Sequence, residues 1–358
     1  MRMVLAGDWS WEIYEEALAT GFRAHDVEVI PFRISAYLGN NLLSKAQRKL
    51  IFGPQIKKLN TELLRLVCGT SPAVLFLSRP VYLYPETIAA IKRSTKVALV
   101  TYNNDNPFTD GATWSHWRHY FKVAKLCDLN LFYRPSNLVE ARHKGIPSPN
   151  LLLPYFVAGV HQPRSGAPSQ FASDVVFIGH YEPDGRADIL DSFIENGLNV
   201  RIFGTRWEEC NQLCALVNRP ILPLRREDYV RALSATKLAL VFLSQRNRDV
   251  YTRRCFEIPA CRTAMLAPRT NELLELFREE EEALYFSSKE EALAKARFYL
   301  ANTCARERVA QRGYERCLRD GHSNIDRAKS ILSAINRIHA DHQERYASTE
   351  IRMGYKAW

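Results

Sequence analysis

The chain has 358 residues, 46% of them hydrophobic and 25% charged, an ordinary globular composition that suits two domains rather than one. No apolar run reaches the ~18 residues that a membrane-spanning helix needs, and the first residues read as a strand rather than a signal peptide, so a cytoplasmic protein is expected. The net charge of +10 is uneven, with 19 Lys and Arg against 12 Asp and Glu in residues 1–160, which points to an anionic ligand or an anionic membrane surface as a partner. Nucleic acid is not expected, because no basic-aromatic recognition motif accompanies the charge.

Met1–Ala6 reads as a first strand ending at Gly7 and Asp8, followed by a helical pattern from about Trp11 to Ala24 and a second strand over Val27–Pro31. Such a β-α-β opening predicts a parallel sheet with right-handed crossovers. The alternation continues with a single long helix from about Ser44 to Val67, a strand over Ala73–Leu77, a helix after Pro85, and strands at Val97–Thr101, Leu129–Phe132 and Leu151–Pro154. Residues 1–155 are read as one doubly wound domain. From 156 to 173 the pattern lapses into Gly, Pro, Ser and Gln, which is read as a linker.

A second β/α series spans 174–323, with strands at Val175–Ile178, Val200–Phe203, Leu238–Leu243, Ala264–Ala267 and Leu284–Phe286. The expected fold is therefore α/β, with two Rossmann-like doubly wound domains facing an interdomain cleft. Residues 324–358 read as a terminal helix and an aromatic tail carrying Tyr346, Tyr355 and Trp358. The eight cysteines show no C-x-x-C spacing and are read as reduced thiols.

The segment Tyr251–Ala264 follows the apolar run Leu238–Leu243, so its charged residues fall at a strand's carboxyl end, where open α/β sheets bind ligands. Arg253 and Arg254 could neutralise a phosphate there, and Glu257 could accept hydrogen bonds from a pair of sugar hydroxyls. Pro259 suits the first turn of a helix. Within this segment, Arg254-Cys-Phe-Glu-Ile-Pro-Ala-Cys261 resembles the R-x-F-E-x-x-A-C-G stretch of the CgeB/YkvP-like glycosyltransferases, relatives of the retaining family 4 enzymes of GT-B fold. Other similar pieces run in the family's order: Tyr102–Phe108, Leu153–Tyr155, Asp174–Gly179 with Arg186, Phe203-Gly204, and Gly321-His322 with Arg327.

The resemblance implies a glycosyltransferase of GT-B fold using a nucleoside-diphosphate sugar, with a glycan, lipid-linked or other small acceptor. On that basis Gly179, Arg186, Asp249, Arg253, Arg254 and Glu257 are candidate donor contacts, with Arg186 and Arg254 carrying the diphosphate charge. Two positions depart from the family pattern. Arg262 stands where the family usually has Gly, so either the turn differs or Arg262 faces the donor. Asp249 replaces the first Glu of the family 4 E-x7-E pair. A catalytically inactive module that binds a sugar nucleotide or glycan in an envelope or spore-coat assembly is the alternative.

No D-x-D triplet is present, so neither a metal nor any other cofactor is expected and arginines are assigned the phosphate charge. Asp105, among Asn103, Asn104 and Asn106, is read either as an acceptor ligand or base or as a turn residue before Pro107. Asp8 raises the same question. Trp9, Trp11, Trp114, Trp117 and His116 could stack on sugar rings, although Trp114 and Trp117 also fit a core. Lys45, Arg48, Lys49, Lys57 and Lys58 beside Leu42, Leu43, Leu50, Ile51 and Phe52 form a basic amphipathic helix that could lie on anionic lipid at the inner face of the membrane, or be an ordinary solvated face.

Overall fold

The computed structural model of the protein describes residues 1–109, 114–166, 168–217 and 220–338, without side chains at 114 and 115. The chain divides into two compact units, Met1–Leu153 with the segment from Asn324, and Pro154–Ser323.

The first unit holds six parallel strands: β1 (Arg2–Gly7), β2 (Glu28–Arg33), β3 (Val74–Ser78), β4 (Ala98–Asn103), β5 (Leu129–Phe132) and β6 (Pro149–Leu151), in the order β2-β1-β3-β4-β5-β6. Parallel strands are covered on both faces, so they read as continuous apolar runs. β3 and β4 are buried throughout, whereas β2 is partly exposed and carries Pro31, as an edge strand can. The second unit repeats the plan with β7 (Ser173–Ile178), β8 (Val200–Phe203), β9 (Thr236–Leu240), β10 (Ala264–Pro268) and β11 (Leu284–Phe286), in the order β11-β10-β9-β7-β8. In each sheet the second strand lies on one side of the first and the third on the other. Crevices therefore open at the carboxyl ends between β1 and β3 and between β7 and β9, the topological switch points where such sheets bind ligands.

The long helix expected over 44–67 is two helices, Leu42–Leu50 and Pro54–Thr70. Ile51 takes a left-handed backbone at φ 49° and is buried, Gly53 sits at φ 117°, and Pro54, which lacks an N–H, opens the second helix. Local chemistry overrides the amphipathic period there. The pattern from Trp11 also opens differently, with a π-helical turn over Glu12–Glu16 before the α-helix Ala17–Arg23.

A helix over 324–338 packs on that first helix of the first unit. Asn324 Nδ2 donates to the Ala17 carbonyl at 2.7 Å, and a Cβ on Gly21 would lie 2.4 Å from the Asn324 carbonyl oxygen. Only glycine permits that approach. Tyr346, Tyr355 and Trp358 fall outside the described residues.

The tightest contact in the second unit joins the ends of β7 and β8. Gly204 has φ 149°, and a Cβ there would stand 1.8 Å from the Gly179 carbonyl oxygen, which accepts from the Trp207 indole N–H at 2.9 Å. Gly204→Ala must separate two buried backbones and is expected to cost at least about 3 kcal/mol, read as a lower urea midpoint with unchanged slope. An alanine variant as stable as the parent would mean that the two strand ends do not meet this way.

Candidate functional site

In the second unit a cavity of about 840 Å³ opens at the carboxyl ends of β9, β10 and β11. Its wall runs from Asp184–Ile189 at the start of the helix Arg186–Glu195, through Phe242–Gln245 and Arg248–Val250 after β9, to Pro268 and Phe286–Lys289. It thus borders the β7–β9 switch point. Arg186 and Asp249 are on that wall; Arg253, Arg254 and Glu257 are not among its lining residues.

Arg186 is buried and already engaged. Its Nε donates to Asp184 Oδ1 at 2.7 Å, Nη2 to Asp184 Oδ2 at 2.5 Å, and Nη1 to the His180 carbonyl at 2.6 Å. Glu182 lies 3.6 Å from the same guanidinium and accepts from His180 Nε2 at 2.8 Å and Ser244 Oγ at 2.9 Å. Burial works to raise the Glu182 carboxyl, but these hydrogen bonds and the Arg186 charge hold it below its ordinary range. Glu182 was missed by motif reading because its importance comes from the turn at Asp184 and Gly185 that brings it under Arg186. The only sequence signal is the density of charge between Gly179 and Asp188.

Arg254 is the cation left over. It opens the helix Arg254–Ala260, and its Nε donates to the carbonyl of Ile178, the last residue of β7. Its two terminal nitrogens make no hydrogen bond among the described residues. Gly179 follows at the switch point itself, with its N–H on the Phe203 carbonyl at 2.8 Å. A Cβ at Gly179 would stand 2.5 Å from the Phe177 ring, so glycine there leaves the strand end close to whatever fills the crevice.

Arg253 and Glu257 point into the protein. The Glu257 carboxylate, 5% exposed, accepts from Tyr229 Oη at 2.6 Å and from Arg253 Nε at 3.0 Å, with His161 Nε2 3.9 Å away. The Val157 N–H donates to His161 Nδ1 at 2.8 Å, which puts the neutral ring's proton on Nε2, facing Glu257. The Arg253 guanidinium also lies 4.8 Å over the Tyr155 ring. Glu257 thus ties the segment around 155–161 and the helix Arg226–Ala235 to its own helix. His161, read from sequence only as a linker residue, is part of this buried knot.

Arg262 resolves its own question. It follows the helix cap at Cys261 with φ 55°, its N–H bonds the Pro259 carbonyl at 2.8 Å, and Thr263 N–H returns to Ile258 at 3.3 Å. This is the left-handed C′ position that glycine favours, and the Arg262 side chain is exposed. A glycine there serves the helix end and needs no ligand. Pro259 falls inside the helix rather than in its first turn.

In the first unit the β1–β3 switch point gathers Asp8, Glu15, Arg79 and Asp105. Glu15 is buried and accepts from Ser78 Oγ at 2.7 Å and the Trp9 N–H at 3.2 Å, with Arg79 Nη2 at 3.9 Å. Arg79 follows β3 with φ 47°, lies 5.2 Å over the Tyr14 ring, and makes no guanidinium hydrogen bond among the described residues. Burial opposes its charge, but Glu15, Asp105, Tyr14 and Asp8 outweigh that and raise its pKa. The Asp105 N–H is held by Asn103 Oδ1 at 3.1 Å, a turn contact, while its carboxylate stays beside Arg79 and His116. Asp8 receives a hydrogen bond from Ser10 at 2.5 Å. Trp117 is core, packed with Tyr120 and Phe132; Trp11 is exposed and Trp9 half-buried under Arg33. Glu15 was invisible to sequence reading because it sits in a helical register that looks solvated.

Among the described residues no three His, Cys, Asp or Glu side chains come together as a metal site, and no helix is long and apolar enough to cross a membrane.

Compared with solved structures, the chain is similar along most of its length to sucrose-phosphate synthase from Thermosynechococcus elongatus, with TM-score 0.71, 11% identity, and 95% of this chain and 100% of that one covered. Anabaena HepE in complex with UDP-glucose gives TM-score 0.68 and 9% identity over 94% of this chain and 100% of its own. A Listeria monocytogenes protein named for a UDP-N-acetylglucosamine 2-epimerase gives 0.58 and 10%, covering 95% and 97%. Identities this low show the fold, and the fold is that of the two-domain GT-B glycosyltransferases. Residues 186–333 match the family model described as glycosyl transferase-like, a stretch that includes Arg186, Asp249, Arg254 and Glu257. No curated protein sequence matches the chain.

Two measurements check this geometry. The Glu257 carboxyl is held at about 2 despite burial, chiefly by Arg253 and then by His161 and Tyr229, against an unfolded value of 4.5. A depressed carboxyl stabilises the fold above pH 4.5 and loses that contribution as pH falls towards 2, so acid denaturation should steepen across this window. Glu257→Gln is expected to flatten that slope and to cost about 3 kcal/mol at neutral pH, because it strands the Arg253 charge. Arg262→Gly, in contrast, is expected to raise stability by about 1 kcal/mol in the same denaturation assay, by relieving the left-handed strain.

Proposed function

We propose that the protein transfers a glycosyl group from a nucleoside-diphosphate sugar to an acceptor hydroxyl. The observation that carries this reading is Arg254, a cation rooted on the last carbonyl of β7 at a topological switch point, with both terminal nitrogens open. A diphosphate against it would receive paired N–H donors and keep them as charge develops. The bond between the sugar's anomeric carbon and the β-phosphate oxygen breaks, the acceptor oxygen bonds to that carbon, and the nucleoside diphosphate leaves. The acceptor proton passes to the departing phosphate oxygen or to a carboxylate, for which Asp105 and then Asp8 are the candidates. Arg186 sets the Asp184 turn at the cavity edge, and Glu257 fixes the helix that carries Arg254.

The proposed chemistry is metal-independent and retaining, and the proposed relationship is to the CgeB/YkvP-like group, on the Arg254–Cys261 segment. Uridine is the first base to test, since HepE was solved with UDP-glucose. A glycan or lipid-linked acceptor is proposed for the first unit, where Asp8 and Asp105 lie. The inactive-module reading drew support from Arg262 and Asp249. The left-handed cap accounts for Arg262, and Asp249 still presents its residue to the cavity wall.

Thermal unfolding with UDP-, GDP-, dTDP- and CMP-linked sugars, with and without EDTA, tests the proposal. A donor at about 100 times its Kd should raise Tm by a few degrees, independently of EDTA, and Arg254→Ala should abolish the shift relative to its own unliganded Tm, which the orphaned Ile178 carbonyl lowers. A shift retained in Arg254→Ala would remove that residue from the donor site. No shift with any nucleotide sugar would overturn the reading.

A further inference from the structure

The helix Leu42–Leu50 is folded inside out. Its polar residues Ser44 and Gln47 are buried, where Gln55 Nε2 donates to Ser44 Oγ at 2.8 Å and the Gln55 N–H to Gln47 Oε1 at 2.9 Å. Its leucines face out: Leu42 is 84% exposed, Leu43 69% and Leu50 59%, and Phe52 just beyond is 72% exposed. At ~100° per residue, Leu42, Leu43, Ala46 and Leu50 cover an arc of about 100°, and Lys45, Arg48 and Lys49 lie on the flank next to Leu42. The left-handed turn at Ile51 buries that residue and projects Phe52 outward. Gly53, whose Cβ would meet Gln47 Oε1 at 2.6 Å, allows the turn to close. Lys57 and Lys58 are exposed on the next helix. No Asp or Glu occurs between Glu28 and Glu62.

Scattered exposed leucines need no explanation, but a helix that buries its serine and glutamine and exposes every leucine does. The chain has spent hydrogen bonds to hold this face outward. We propose that this face docks on the surface of an anionic lipid bilayer, with Leu42, Leu43, Leu50 and Phe52 entering the interface and the five cations meeting lipid phosphates. Charge selects this occupant: an apolar stripe flanked by cations, without a carboxylate, matches an interfacial helix on an acidic membrane. A protein partner would need acidic groups ringing an apolar groove, and a second copy would set the same five cations against each other. The inference is independent of the donor site, so either can fail without the other.

The test is cosedimentation of the full chain with vesicles of phosphatidylcholine alone and of equimolar phosphatidylcholine and phosphatidylglycerol. The protein should partition to the anionic vesicles, and binding should fall as salt rises, since each cation near the surface contributes about fivefold. Leu43→Glu/Phe52→Glu should lower partitioning by at least about tenfold, and Lys45→Gln/Lys49→Gln by a comparable factor only on anionic vesicles. All four positions are exposed, and an unchanged Tm and nucleotide-sugar shift in both variants would show that fold and donor site are intact. Equal sedimentation of parent and Leu43→Glu/Phe52→Glu, or no salt-sensitive binding of the parent, would overturn the proposal. So would a dimer of the parent in analytical ultracentrifugation that the double variant dissolves, because the face would then be covered by a second copy.

Discussion

The second unit depends on one crowded point, the carboxyl end of β7. Ile178 gives its carbonyl to Arg254, Gly179 gives its N–H to Phe203 and its carbonyl to Trp207, and Gly204 presses on that same carbonyl from β8. Buried main-chain polar groups must find partners, and here every partner comes from a different element. The consequence is a strand end fixed in place without any side chain of its own. Arg254, anchored to it, inherits that rigidity, and a rigid cation loses less on binding than one that must first be ordered.

The first unit reaches a comparable end by different means. Gly7 clears the room that the Glu15 side chain fills, and Glu15 then collects Ser78, the Trp9 N–H and the Arg79 charge across the β1–β3 crevice. Trp9 at φ 63° and Arg79 at φ 47° both hold left-handed backbones at strand ends. Such strain costs about 1–3 kcal/mol each and persists where the surroundings over-determine it. Three carboxylates around one arginine leave the crevice suited to hydroxyls more than to anions, with Asp105 the carboxylate whose oxygens remain to be used.

Strand positions and the doubly wound plan were readable because buried parallel strands must be apolar on both faces, and runs such as Val74–Ser78 and Ala264–Pro268 show it directly. The Arg254–Cys261 segment was readable as lying beyond a strand's carboxyl end for the same reason, since it follows such a run. What sequence could not show was commitment. Arg186, Arg253 and Glu257 look like ligand-binding charges in one dimension, yet their partners Asp184, Tyr229 and His161 are supplied by turns and helices whose packing no local pattern encodes. The Glu279–Glu282 run has the look of a solvated stretch, yet Glu282 is buried against the Arg278 N–H, and Glu279 is paired with Arg269 and Lys295. The Leu42–Leu50 helix was legible as basic and amphipathic but not as inverted, because periodicity gives a face and never says which way it points.

Commitment also sorts the arginines by the kind of work they can do. A buried guanidinium already matched to a carboxylate contributes shape: the Arg186–Asp184 and Arg253–Glu257 pairs repay their desolvation only through good geometry, so their gain is in fixing turns and helices more than in net stability. Such a pair could meet a diphosphate only by giving up its carboxylate, exchanging one anion for another at little gain. Arg254 faces no such exchange, because its hydrogen-bonded anchor is a neutral carbonyl and Glu257 acts on its charge only through space. A phosphate placed there adds an ion pair without breaking one. The chemistry of the second unit is therefore read best from which of its motif cations the fold has left without a hydrogen-bonded carboxylate.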